Sequence, residues 1–142
     1  MNPLKLVPIA QAAASLSKDP STKVGAVIVG PGNEIRSLGW NGFPRGVIDA
    51  PERYADRPTK YAMVVHAEMN AICNAARAGT PVEGCSLVVT ALHPCGDCAK
   101  AIIQAGIRTV YAPQPEDVER WAESFKVAAQ MFQEAGVEVR FY

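Results

Sequence analysis

From residue 66 onward the chain alternates helical and strand patterning, and this alternation restricts the fold more than any other feature. The spacing predicts a helix from about His66 to Ala78, ended by Gly79 with Pro81 beyond it. Ser86 to Thr90 reads as a strand, and Cys95 to Ala105 as a helix closed by Gly106. Arg108 to Tyr111 is a further strand, Pro115 to Ala135 the longest helix, and Val137 to Tyr142 the last strand. Strand–helix–strand units of this kind close as right-handed parallel crossovers. Ahead of them lies a helix over Leu4 to Leu16. The β-branched run Val24 to Val29, the turn Gly30-Pro31-Gly32-Asn33 and the alternating Glu34 to Leu38 then predict a β-hairpin. The order αββαβαβαβ predicts an α/β fold of three layers, α/β/α, on a mixed five-stranded sheet. With 142 residues, 49% of them hydrophobic, one domain over 1–142 with its own core is expected. Trp40 to Lys60 holds three prolines and two glycines and reads as an irregular, functional loop. The stripe Trp121, Phe125, Ala128, Phe132 reads as core.

Charge and cysteine usage narrow the function. Lys plus Arg equals Asp plus Glu at 14 each, which argues against a nucleic-acid partner and leaves room for a small anion. No apolar run approaches the ~20 residues of a membrane span, and no signal peptide is evident. The cytoplasm is the expected compartment. There the four cysteines stay reduced, and metal binding or catalysis outranks disulfides.

Two clusters carry chemistry: His66-Ala67-Glu68 and Pro94-Cys95-Gly96-Asp97-Cys98, each opening a helix. Residues three apart in a first helical turn share a side, and the helix N-terminus favours thiolates there. Two thiolates and one imidazole make a three-ligand zinc site whose open position takes water, the mark of a catalytic site. His66 is the expected third ligand, at or before the first turn, so that Glu68 faces the water without ligating. Zinc brings the pKa of its water towards ~7. The hydroxide then adds to an amino-bearing ring carbon, the carboxylate carries protons, and ammonia leaves. The bland alternative is a structural zinc or core residues.

His-x-Glu followed by Pro-Cys-x-x-Cys is the known signature of zinc nucleobase deaminases. The sequence resembles that cytidine/deoxycytidylate deaminase superfamily, most closely its deoxycytidylate (dCMP) deaminases. The likeness runs through Ser17 to Ala26, Asn41-Gly42-Phe43-Pro44-Arg45-Gly46, His66 to Ile72, and Pro94 to Ile107. It implies a cytidine-deaminase-like fold and hydrolysis of dCMP to dUMP and ammonia in pyrimidine deoxynucleotide metabolism. It implies one catalytic Zn2+ on His66, Cys95 and Cys98, with Glu68 as proton shuttle. It places Asn41 in the pocket against the nucleotide, with Ala67 beside it. It makes Ser17, Lys18, Ser21, Lys23 and Arg45 candidates for phosphate recognition. It further implies a homo-oligomer, hexamer or dimer, with dCTP plus Mg2+ and dTTP as effectors. Trp40 stands where a tyrosine commonly precedes the asparagine, His93 stands at a variable position, and the loop before His66 lacks the insertion that brings some members a second zinc.

Other readings stay open at this level. The substrate could be dCTP or a 5-substituted dCMP. An RNA base is disfavoured by the zero net charge, and a non-catalytic nucleotide-binding protein by the intact Glu68. Ser17 to Lys23 is good turn chemistry as well as a phosphate candidate. His93 reads as pocket wall or turn rather than a fourth ligand. Cys73 and Cys85 read as small buried hydrophobes. Arg53, Asp56 and Arg57 read as a solvated loop. Trp40 and Phe43 could stack on a base, cap the core or meet another copy.

Overall fold

The computed structural model describes residues 2–115 and 119–142, the side chain of Arg120 excepted. Its elements are a 3-10 turn Pro3–Leu6, α1 Val7–Ala14, β1 Gly25–Val29, β2 Ile35–Trp40, α2 Pro51–Ala55, α3 Arg57–Met63, α4 Ala67–Ala78, β3 Ser86–Val89, α5 Gly96–Gln104, β4 Thr109–Ala112, α6 Glu119–Ala135 and β5 Glu138–Phe141. The five strands lie in the order β2-β1-β3-β4-β5. β1 runs antiparallel to both β2 and β3, whereas β3, β4 and β5 run parallel. The hairpin and the two crossovers therefore meet in one mixed sheet. Asn33 takes the left-handed conformation, φ 66°, in the hairpin turn, where Asn is one of the few side chains that tolerate it.

Both faces of the sheet are buried, and strand alternation divides them. Ala26, Ile28, Leu87, Val89, Val110 and Ala112 share a core with Ala67, Ala71, Ala99, Ile102, Ala128 and Phe132 from α4, α5 and α6. Val27, Val29, Val88 and Tyr111 point the other way, onto Leu6 and Ala10 of the N-terminal helical segment.

The segment 40–60 corrects the expectation of an irregular loop: it holds α2 and leads directly into α3. Pro51 and Pro58 suggest interruption, yet each lies in the first two positions of its helix. There the missing N–H costs nothing and the fixed φ favours the helix. The expected start of α6 at Pro115 runs into residues 116–118, which lie outside the described residues.

α4 carries both His66, as its N-cap, and Glu68, so its seating on the sheet sets the site. Ser37 Oγ donates to Ala71 O at 2.6 Å, Asn70 Nδ2 to Trp40 O at 2.7 Å, and Asn74 Nδ2 to Leu38 O at 2.8 Å. Gly42 and Val65 exchange two backbone hydrogen bonds just before His66. Ser37→Ala is expected to lower stability by about 1 kcal/mol, the net value of one buried hydrogen bond. Urea denaturation would measure it, and an unchanged midpoint would show that this bond does not hold α4.

Candidate active site and metal centre

His66, Cys95 and Cys98 come from two helix starts on neighbouring helices. His66 is the N-cap of α4, Cys95 the N-cap of α5, and Cys98 lies in the first turn of α5. Their donor atoms lie within 4.8 Å of one another. His66 Nδ1 is 3.3 Å from Cys95 Sγ and 3.4 Å from Cys98 Sγ. A tetrahedral zinc with such ligands sets its donors on the order of 3.5 Å apart, so the cluster is close to the required size. The donor chemistry fits too. The hydrogen bond from Cys98, with that to His66, pushes the Cys95 thiol down to about 4. Cys98 is held protonated by the same bond and by burial, and His66 is held above its ordinary value by its bond to Cys95. Two sulfurs and one imidazole nitrogen are soft donors whose protons a bound cation would displace.

Glu68 is 4% exposed and lines the cavity beside the cluster. Burial pushes its carboxyl above the usual carboxylate range, and His66 partly opposes this. A carboxyl shifted in this direction can hold a proton and release it within one catalytic cycle.

The cavity measures about 530 Å³, within the size range of small-molecule sites. Of the residues singled out in the sequence, His66, Cys95, Glu68, Ala67, Asn41, Ser21 and His93 line it. Asn41 is buried and its side chain is engaged by the protein. Its Oδ1 accepts from Val24 N at 2.9 Å, and its Nδ2 donates to Thr22 O at 2.9 Å and Asp19 Oδ2 at 3.3 Å. His93 stays out of the metal cluster. Its Nδ1 lies 2.8 Å from Pro94 O, and Phe125, Phe132 and Phe141 surround the ring. Burial pushes its pKa below the ordinary value.

The remaining phosphate candidates do not line this cavity. Ser17 is buried and donates to Asn41 O at 2.8 Å, and Lys23 Nζ donates to Ser17 O at 2.8 Å. Lys18 pairs with Asp49 on the surface. Arg45 donates to Asn74 Oδ1 at 2.7 Å and lines a separate depression of about 150 Å³ with Trp40, Phe43 and Asn70. Phe43 stacks on Tyr54, ring centroids 4.4 Å apart. Cys85 is buried as expected, but Cys73 is exposed.

Several cavity residues were not legible in the sequence. Arg57, Lys60 and Tyr61 reach it from α3, and Trp121 and Phe125 from α6. Lys60 Nζ pairs at 2.9 Å with Asp19, whose side chain is 2% exposed. Asp19 Oδ1 also accepts from Ser21 N and Thr22 N, so one carboxylate organises the wall from 19 to 24. Arg57 makes no ion pair among the described residues. The spacing of residues 57, 60, 61 and 64 is helical, a signal that the prolines obscured. Trp121 belongs to the cavity rather than the core. Its ring meets His66 and Tyr61 edge-on, with centroids 6.0 Å away in each case.

Residues 2–113 match the family model for the cytidine and deoxycytidylate deaminase zinc-binding region. The chain belongs to this deaminase family. It is 43% identical to human deoxycytidylate deaminase over 137 residues, covering 93% of this chain and 74% of that one. It is 49% identical over 133 residues to an uncharacterized deaminase in the luxG 3′ region of Aliivibrio fischeri, covering 92% and 86%. The crystal structure of dCMP deaminase from cyanophage S-TIM5 in apo form superposes with a TM-score of 0.78 at 29% identity, covering all of both chains. The same phage enzyme in complex with dCMP and dUMP gives 0.73 at 28% identity. The five-stranded mixed sheet with its helices is therefore the cytidine-deaminase-like fold of this zinc-dependent deaminase family. Among the described residues no helix is long and apolar enough to cross a membrane.

Proposed function

We propose that the chain acts as a single deaminase domain that hydrolyses dCMP to dUMP and ammonia. The observation that carries this reading is the convergence of His66, Cys95 and Cys98 next to a buried glutamate, on the wall of a nucleotide-sized cavity. Relatives named for deoxycytidylate support the substrate. His66 Nδ1 and the sulfurs of Cys95 and Cys98 hold the zinc. A zinc ion there supplies Lewis-acid activation of a water near neutral pH. Glu68 takes a proton from the attacking water, passes it to the ring nitrogen and then helps protonate the departing amine. Ala67 and Asn41 shape the wall against the base and sugar, while Asp19 keeps the Asn41 amide oriented. Arg57 and Lys60, both lining the cavity, face the 5′-phosphate, and Lys60 does so while partly neutralised by Asp19. Regulation by dCTP with Mg2+ and by dTTP, and assembly into a homo-oligomer, follow from the same family resemblance and belong to this reading.

The test is a deamination panel on zinc-loaded protein, comparing dCMP, CMP, deoxycytidine, dCTP and 5-methyl-dCMP by chromatography. Turnover of dCMP well above that of deoxycytidine is expected, because the nucleoside lacks the phosphate that the two cations meet. Equal turnover of the two would remove the phosphate from recognition. Preference for dCTP or 5-methyl-dCMP would move the substrate within the family.

A further inference from the structure

Two of the three clustered donors belong to residues outside regular helical backbone. Cys95 has φ −77° and ψ 174°, and no side chain of its own caps α5. His66 has φ −73° and ψ 158° at the start of α4, likewise with no side-chain cap. Cys98 sits inside the helix, whose hydrogen-bond ladder holds it. The two N-cap residues join that ladder only through their carbonyls, Cys95 O accepting from Ala99 N at 2.9 Å and His66 O from Asn70 N at 3.0 Å, while the N–H groups of the first turn find no partner within the helix. Contacts from outside these two helices add to that restraint on the first two donors.

Helix α6 reaches both of them. Ser124 Oγ accepts a hydrogen bond from Gly96 N–H at 2.8 Å. That N–H belongs to the peptide unit that follows Cys95, so the contact holds the plane of that peptide, and with it ψ of Cys95, and steadies the backbone from which the Cys95 side chain departs. Trp121 lies three residues earlier, on the same helix face. Its ring meets His66 at 6.0 Å with an interplanar angle of 73°, and it also stacks on Phe125. α6 lies against Gly96 at ordinary contact range: a Cβ there would lie 3.5 Å from Ser124 Oγ and 3.9 Å from Val127 Cγ1. The matched family region ends at residue 113, so α6 lies entirely beyond it.

We propose that α6 is a clamp on the metal centre, in which Ser124 and Trp121 are positioning residues that hold Cys95 and His66 in ligating geometry. The proposal rests on the functional reading above. Neither residue donates to the ion. They act by limiting the conformations that the two N-cap donors sample before a metal arrives, as outer partners of metal ligands do in general.

The decisive experiment is zinc affinity, measured on the full chain by competition with a chromophoric chelator. Ser124→Ala is expected to weaken zinc binding ~10- to 100-fold, the usual effect of losing such a partner. Ser124→Thr keeps the hydroxyl and should restore the wild-type value. Trp121→Leu should weaken binding through His66. Tyr142→Phe is the control: it deletes one hydrogen bond, to Val89 O, without touching a ligand segment, and should leave zinc affinity unchanged. Wild-type affinity in both Ser124→Ala and Trp121→Leu would overturn the clamp. Equal weakening in Tyr142→Phe would overturn it as well, since the effect would then be general loosening. Wild-type protein that takes up no zinc would instead overturn the functional reading and this proposal together.

Discussion

Glu68→Gln is expected to cut dCMP turnover by ~10²- to 10⁴-fold while the zinc content stays unchanged. The glutamate lines the cavity beside the cluster and is nearly fully buried, so solvent water does not easily replace it as proton carrier. Glutamine keeps the shape and the neutral form that burial already favours, so the fold should tolerate it. It cannot accept and return a proton. Chromatographic turnover, zinc analysis and a melting curve on the same preparation separate these effects. Turnover within a few-fold of wild type, with zinc retained, would remove Glu68 from the proton path.

Gly39→Ala is expected to lower stability by about 3 kcal/mol or more, beyond ordinary overpacking. A Cβ on Gly39 would lie 2.4 Å from Ala67 O and 2.4 Å from Ala71 N, both backbone atoms of α4. Backbone cannot rotate away as a side-chain tip can, so the helix must lift from β2. It would carry Glu68 with it, and a shift on the order of 1 Å between reacting groups can itself cost ~10²-fold in rate. Gly42→Ala is the matched comparison. Its nearest neighbour would be Tyr54 Oη at 3.9 Å, an ordinary contact, and its cost should stay below about 1 kcal/mol. Chemical denaturation of both variants decides the matter, and equal midpoints would show that α4 is free to move away from the sheet.

The two glycines show how unevenly the sequence speaks. Nothing local distinguishes Gly39 from Gly42, because the difference is the distance to a helix some 30 residues further on. The prolines at 51 and 58 misled for a related reason. A proline looks alike as a breaker and as a helix start, and only the completed turn behind it tells which.

What the sequence determined by itself was whatever depends on short-range spacing. Strand and helix periods placed the five strands and the helices that cross between the parallel ones. Cys95 and Cys98 stood out because residues three apart in a first helical turn share a side, and His66 and Glu68 because His-x-Glu ahead of Pro-Cys-x-x-Cys is a known signature. The tertiary structure decided everything that rests on proximity between distant segments. It brought Asp19 to Lys60 and Trp121 to His66, and it paired Lys18 with Asp49 on the surface and Arg45 with Asn74 away from the main cavity. It buried Cys85 and exposed Cys73, although the sequence reads both as small buried hydrophobes. It also turned Trp121 from an expected core residue into a wall of the cavity. An amphipathic stripe reports only that one helix face is covered. Whether the core, a cavity or a metal site covers it depends on how the layers close.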